Sequence, residues 1–290
     1  MALNDLTALT ELYYAENQKN SSKTLPNLYV VQREACSVFE ATVYNPVICI
    51  VLRGCKEIQI GTQSVTLTEG DALLVSHDLP ISARITEASP SAPYLSLILG
   101  LELGTIRSLY EQVGEAVSED NDARSLCTNI AQPSLMDPLG RYLALMGKPL
   151  EAQVLGPLIK REIHFQLLMS PIGGMLRNLL SVDSHASRIA KVIVKIRETF
   201  REPLVVTELA RLAGMSQSSF HEHFKAVTGT SPLQYQKDLR MIEARNLLLA
   251  GARSVSATGF EVGYESPTHF SRDYSRKFGY SPKHHLAQSL

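Results

Sequence analysis

The 290-residue chain lacks the residue spacings that pair thiols or hold metals. Its four cysteines, Cys36, Cys49, Cys55 and Cys127, include no CxxC pair. That excludes zinc ribbons and thioredoxin-like redox motifs, and leaves buried structural cysteine as the first reading of each. A redox or electrophile sensor among them stays open, because thiol exposure is not written in the sequence. No run of about 18 apolar residues is present, so no membrane-spanning helix is predicted. No basic-then-apolar leader opens the chain either, and the expectation is a cytoplasmic protein with reduced thiols. Only two histidines, His77 and His164, precede residue 185. A metal-dependent barrel enzyme needs two or three imidazoles converging with a carboxylate, often as His-x-His. Without that set, no metal, no cofactor and no catalytic residues are expected.

What is present describes a globular chain, 44% hydrophobic and 20% charged, long enough for two separate cores. The net charge of −1 conceals an asymmetry. From Arg188 to Leu290, 15 Lys and Arg stand against 9 Asp and Glu, a net +6. Before Arg188 the counts are 13 against 20, a net −7. A basic C-terminal third on an acidic remainder suits a nucleic-acid-binding module joined to one that is not. The predicted division is 1–182 and 188–290.

Residues Met1 to about Leu25 are polar and read as a helical or loose arm. From Val38 to Leu99 the chain is a series of short segments: VFEATVY, VICIVL, KEIQI, SVTLT, ALLVS, ISARI and YLSLIL. Asn45-Pro46, Arg53-Gly54, Gly61 and Glu69-Gly70-Asp71 separate several of them. Short strands with such punctuation predict an antiparallel sandwich or small barrel. Ile58 and Ile60 alternate with Glu57 and Gln59, giving one buried and one wet face. A small closed barrel without metal has room for one small molecule. Cys49, His77 and Tyr94, on strands or at their ends, are the candidate ligand-binding residues, with ordinary core packing as the competing role for each. Beyond Leu103 the pattern turns helical. Leu155, Leu158, Ile159, Ile163 and Leu167 form a stripe, with Pro157 expected near the helix start and Ser170-Pro171 ending it. Such a helix packs on the barrel or against a second copy, and a homodimer contact is the reading preferred here.

The C-terminal third carries one pattern twice. The first copy is VTELARLAGMSQSSFHEHFKAVTG, and the second is SVSATGFEVGYESPTHFSRDYSRKFG. Each has a short helix, a turn glycine (Gly214, Gly263), a capping serine (Ser216, Ser266) and a second helix with Phe at the same place (Phe220, Phe270). Ile189, Val192, Ile193, Ile196 and Phe200 predict a helix before the first copy. Ser231-Pro232 opens a longer helix to Leu249, with Leu239, Ile242 and Leu249 on one face, which would hold the two copies apart. With Phe220 and Phe224 turned to the core, Gln217, Ser218, His221, Glu222 and Lys225 face outward. With Phe270, Tyr274 and Phe278 in the core, Pro267, Thr268, Ser271, Arg272 and Arg276 do. These ten are the candidate DNA-binding residues, since side chains of these kinds pair with base edges or phosphates. The partner so predicted is double-stranded DNA, covered over about two turns on one face.

At these residues the chain resembles the AraC/XylS family of bacterial transcriptional regulators. SSFHEHFKAVTGTSPLQY and VGYESPTHFSRDYSRKFGYSP are similar to its two-part DNA-binding signature. YNPVICIVLRGCKEIQIG, GDALLVSHDLP, EASPSAPYLSLILGLEL and PLIKREIHFQLLMSPIGGMLRNL resemble an AraC-type N-terminal domain. The resemblance implies an α+β chain of two domains: a cupin-like β-barrel with flanking helices, then an all-α domain with two helix-turn-helix motifs. It carries groove-reading roles onto Ser218, His221 and Glu222 and onto Thr268, Ser271 and Arg272. It also implies a small-molecule effector for the barrel and, for an activator, RNA polymerase as a partner. Three positions depart from the family pattern. Glu222 stands where Arg is frequent, so a cytosine contact or none is expected there. Gly259 replaces a usual Ala, and the tail KHHL lacks the usual aromatic-Arg ending. Two other functions compete with an effector-controlled regulator. One is a metal-dependent barrel enzyme, which the missing ligand set opposes. The other is a DNA-binding adaptor that is constitutive or partner-controlled and binds no small molecule.

Overall fold

A computed structural model of the chain describes residues 1–19, 25–61, 63–113, 126–181, 184–251 and 254–284. The expected boundary residue Val182 lies outside them. The chain divides into two compact units, Met1–Glu40 with Tyr44–Ser187, and Arg188–Leu290 with Ala41–Val43.

The first unit is built on two antiparallel sheets. One contains β1 (Leu28–Arg33), β3 (Val47–Arg53), β6 (Asp71–Val75), β8 (Tyr94–Gly100) and β9 (Leu126–Ile130), in the order β1-β8-β3-β6-β9. The other contains β2 (Glu40–Tyr44), β4 (Cys55–Ile60), β5 (Gln63–Leu67) and β7 (Leu79–Glu87), in the order β2-β7-β4-β5. Among the described residues the two sheets are not joined into a closed cylinder. In β3, Cys49 lies opposite Leu73 of β6 and Ile98 of β8. Every residue from Ile48 to Leu52 is buried, because both faces of this strand are covered. Ile48, Ile50 and Leu52 join the core shared with the helices. Cys49 and Val51 join a second core with Ile58, Leu67, Leu73, Ile85 and Tyr94, between the sheets. The unbroken apolar run VICIVL is the sequence image of that double coverage. Gly54, in the β3–β4 turn, has φ +80, and a Cβ there would meet the Glu87 carbonyl oxygen at 2.5 Å. Only glycine fits that turn.

The first core is shared with α1 (Leu3–Lys19), α2 (Leu103–Val113), α3 (Pro133–Leu143) and α4 (Pro149–Met169), and with Leu176 beyond them. The polar N-terminal arm is therefore α1, docked through Leu6, Thr10 and Tyr13. Helix α4 differs from expectation in two ways. Pro157 lies in its interior, not near its start. Gln153 and Pro157 are both exposed, so the carbonyl freed by the missing N–H faces solvent. Its buried seam is Gly156, Ile159, Ile163 and Leu167, whereas Leu155 and Leu158 are exposed. The seam therefore lies one side over from the expected stripe. His164 on that seam is structural. Its Nε2 accepts the Glu102 backbone N–H at 2.9 Å, and its Nδ1 faces the Lys160 carbonyl at 2.5 Å. A 3-10 turn at Pro171–Gly173 and the short α5 (Gly174–Leu180) complete the unit.

The second unit is helical. It comprises α6 (His185–Glu198), α7 (Val206–Leu212), α8 (Gln217–Thr228), α9 (Pro232–Leu249), α10 (Val255–Glu261) and α11 (Pro267–Phe278). Ile189, Val192, Ile193 and Ile196 are the buried stripe of α6, and Phe200 follows past its end, half-buried. Helix α9 buries Tyr235, Leu239, Met241, Ile242, Ala244 and Leu248, while Leu249, expected on that face, is exposed.

One side chain ties the two repeats together. Arg240 of α9 donates to the carbonyls of Phe200 (2.7 Å), Glu202 (2.8 Å) and Arg201 (3.2 Å) before the first repeat. It also donates to the carbonyl of Gly263 (2.9 Å), in the turn of the second. Gly263 has φ +88, and a Cβ there would strike the Arg201 carbonyl oxygen at 2.1 Å. The turn glycine thus serves both its own conformation and the close approach of the segment from Phe200 to Glu202. Gln236 Nε2 reinforces the clamp by donating to the Phe200 and Glu202 carbonyls. Arg240→Ala strips the side-chain donor from the Arg201 and Gly263 carbonyls and leaves those of Phe200 and Glu202 to Gln236 alone. It should lower the stability of the chain by about 2–3 kcal/mol, measured by thermal or urea unfolding followed by circular dichroism. A loss within about 0.5 kcal/mol of zero would show the clamp to be incidental.

Candidate functional site

The two helix-turn-helix motifs are α7–α8 and α10–α11. Gly214 (φ +63) and Gly263 make the left-handed turns. Ser216 Oγ accepts the Ser219 N–H at 3.3 Å, and Ser266 Oγ accepts the His269 N–H at 3.4 Å, so both second helices begin on serine caps. Both end on a left-handed glycine, Gly229 and Gly279. Gly259 of α10 is explained by the crossing. A Cβ there would lie 3.0 Å from the Phe270 ring, tighter than ordinary contact.

The helices turn the expected faces inward. Phe220 and Phe224 are fully buried, as are Phe270 and Tyr274, and Phe278 is half-buried. On α8, Gln217, Ser218, His221, Glu222 and Lys225 are all exposed. On α11, Thr268, Arg272 and Arg276 are exposed, and Pro267 and Ser271 partly so. The ten candidates therefore form one polar surface on each helix. His269, which the sequence reading passed over, is also exposed and stands where α8 has Ser219. The cap alignment Ser216 with Ser266 was the signal that could have found it. Lys283 and His284 of the tail are helical, with the His284 ring 4.7 Å from that of Tyr280. His285 and Leu286 lie outside the described residues.

The two reader helices are held to α9 by different forces. Helix α8 packs edge to face, the Phe224 ring 5.7 Å from Tyr235. Helix α11 adds crossed ion pairs, Lys237 with Asp273 at 2.6 Å and Lys277 with Asp238 at 2.8 Å. Asp273 also meets Arg276 at 3.0 Å and Tyr264 at 3.1 Å. Burial works against the Asp273 charge, but Lys237, Tyr264 and Arg276 outweigh it and hold the carboxyl below the usual range. Arg276 is thus partly engaged within its own helix, although it remains 66% exposed. Arg272 makes no such pair among the described residues and is the freer cation.

The first unit holds a second polar group, on the inner faces of its two sheets. Cys49 and Tyr94 meet there, both buried. Burial pushes the Cys49 thiol up, with Lys56 opposing, and burial likewise pushes the Tyr94 phenol up. Lys56, Tyr44 and Ser96 complete the cluster. The sequence reading missed these three, although Lys56 continues the inward alternation of Ile58 and Ile60. His77 stands apart. It is 6% exposed, its Nδ1 lies 3.2 Å from Ser76 Oγ and its Nε2 has no partner. Burial alone lowers its pKa from 6.5 to about 4. Among the described residues, no three His, Cys, Asp or Glu side chains gather as a metal would require. No described helix is long and apolar enough to cross a membrane.

A surface of paired, capped reader helices on a basic unit defines a helix-turn-helix DNA-binding protein. Residues 24–175 match the family model described as AraC-type transcriptional regulator N-terminus, and residues 209–288 match a helix-turn-helix domain. The chain belongs to the AraC family of transcriptional regulators. It is 25% identical over 237 residues to the virulence regulon transcriptional activator VirF of Yersinia enterocolitica, covering 80% of this chain and 86% of VirF. It is 30% identical over 132 residues to the transcriptional activator RhaS of Escherichia fergusonii, covering 45% of this chain and 47% of RhaS. The chain thus spans about half the length of that relative. In fold it is similar to ToxT of Vibrio cholerae. The apo structure of a ToxT variant matches with TM-score 0.56 and 12% identity over 91% of this chain and 98% of that one. The structure of wild-type ToxT with an unsaturated fatty acid bound matches with TM-score 0.57 and 11% identity, covering 90% and 94%. These relatives and domains are those of transcriptional regulators, not enzymes.

His77 gives a pH prediction. Its folded pKa lies below its unfolded one, so its neutral form supports folding fully above pH 6.5, and that support is lost as pH falls toward about 4. Thermal melts should show stability declining through this window, and His77→Leu should flatten the decline. An unchanged slope in the variant would remove His77 from the account.

Proposed function

We propose that this regulator reads two successive major grooves on one face of its operator, through α8 and α11. The observation that carries this reading is that the polar candidates on both helices are exposed, Ser271 partly so, while Phe220, Phe224, Phe270 and Tyr274 turn inward. In the first helix Gln217, Ser218, His221 and Glu222 meet base edges and Lys225 a phosphate. In the second, Thr268, Ser271 and Arg272 meet bases, while Pro267 and Arg276 lie along the backbone. Glu222 and Arg272 occupy equivalent places, one anionic and one cationic. The second helix therefore supplies more phosphate attraction, and the first depends on its base partners, with Glu222 fitted to a cytosine amino group. The division into a regulatory unit before Val182 and a DNA-binding unit from Arg188 follows from the same surface. A protein that works on chromosomal DNA acts in the cytoplasm, and as an activator it would act on RNA polymerase.

The inner faces of the two sheets are the effector site in this proposal, with Cys49 and Tyr94 among its lining and His77 as a buried neutral residue of the same unit. Two observations support it: the buried polar groups gathered there, and the bound fatty acid of the ToxT structure with the same fold. A homodimer is supported by the exposed Leu150, Val154, Leu155 and Leu158 on α4, beside a groove of about 450 Å³ reaching Ala144 and Leu145.

Arg272→Ala should weaken specific operator binding by about tenfold or more, while Arg33→Ala on the first unit leaves it unchanged. A gel-shift titration at fixed salt makes the comparison. Equal effects of the two substitutions would sink the assignment of α11 as a reader.

A further inference from the structure

The two reader helices carry unequal charge. On α11, Arg272 and Arg276 both lie on the exposed face. On α8 that face carries Lys225 against Glu222, which cancel. A duplex presents phosphates beside every groove, so the first motif lacks cations of its own to hold its flank. They stand on the neighbouring helix α6. It buries Ile189, Val192, Ile193 and Ile196 and leaves Lys191 and Lys195 exposed, with Arg188 partly so. Arg188, Lys191 and Lys195, at i, i+3 and i+7, run along one side of the helix, and Glu198 ends the run. Neither lysine makes an ion pair among the described residues. The residue that opens the run touches the first motif. Arg188 Nη1 lies 3.5 Å from the Gly214 carbonyl oxygen, in the turn from α7 to α8. That turn leads into the N-terminal end of α8, the end that meets base edges in a helix-turn-helix. The cations of α6 therefore begin at the rim of the groove that α8 enters and continue for two helical turns, about 10 Å.

We propose that α6 is a third DNA-contacting element, its Arg188, Lys191 and Lys195 taking phosphates of the backbone that borders the groove read by α8. Lysine suits such a role, because its ammonium is a point charge on a flexible stem and makes no demand on the orientation of the phosphate. The contact adds affinity and fixes register without reading sequence. An acidic protein surface would match the same charges, but the run starts beside a reader helix, where the duplex with its dense phosphates is the nearest polyanion. The proposal rests on the reading of α8 and α11 as groove readers.

The test is a gel-shift titration of the full chain over a range of salt concentrations. Two duplexes are used: one selected from a random pool by the wild-type chain, and one of mixed sequence. Lys191→Gln and Lys195→Gln each remove a charge from an exposed helical position and change helix propensity little, so thermal melts should match wild type. Together they should weaken binding to both duplexes by about tenfold or more at 0.1 M salt. They should also lower the slope of log K against log salt by about 1.8, near 0.9 for each phosphate lost. Arg272→Ala should instead fall harder on the selected duplex, and Arg33→Gln on the first unit should change neither. The proposal is overturned if the double variant keeps the wild-type affinity and slope, which would leave the run to an acidic protein partner. It is equally overturned if only the selected duplex is affected, since the lysines would then be reading bases. If Arg272→Ala still weakens the selected duplex in either case, the reader helices stand and α6 alone falls. If neither substitution has an effect, both readings fall.

Discussion

Two reading helices act as one only if the angle and distance between them are fixed, and in this chain Arg240 fixes them. It projects from α9, the element between the two motifs, and gathers carbonyls from the segment before the first motif and from the turn of the second. A guanidinium suits this place because its donors lie in one rigid plane and match several oxygens at once; a lysine would reach only part of them. Glycine at 263 is a consequence, since any side chain there would displace the Arg201 carbonyl. The aromatic packing of α8 and the ion pairs of α11 then seat each reader on a linker already locked in place. The difference matters physically. Edge-to-face packing is indifferent to salt, whereas exposed parts of a charge network weaken as ions screen them.

The first unit has a different organising constraint. Its five-stranded sheet is covered on both faces, by helices on one side and by the smaller sheet on the other. The helix-facing side is filled with Ile, Leu and aromatic residues. The side between the sheets admits Cys49, Tyr94 and Ser96, with the partly buried Lys56 at its margin. The contrast between the two faces of one sheet separates the structural side of this unit from the side available for chemistry.

Much of this was legible in the sequence, and the parts that were not share a cause. Both motifs, their serine caps, the turn glycines and the exposed polar faces of α8 and α11 depend on local periodicity and turn chemistry, which a chain displays directly. The strands of the first unit were legible for the same reason. Long-range partners were not. Nothing around Arg240 announces that its acceptors lie some forty residues before it and at Gly263 after it. Gly259 reads as a weak helix position until the Phe270 ring is seen against it. The seam of α4 was misplaced because Leu155 and Leu158 are apolar but exposed, and apolar periodicity does not say which of two adjacent stripes is covered. Lys56 was passed over because a lysine in an alternating strand is ordinarily assigned to the wet face.

The central claim is that α8 and α11 engage DNA together, as one rigid pair. Hydroxyl-radical footprinting of the full chain on its operator tests this most directly. The account predicts two protected patches on the same face of the duplex, about 10 base pairs apart, the spacing of successive major grooves. A single patch, or two patches on opposite faces, would contradict it.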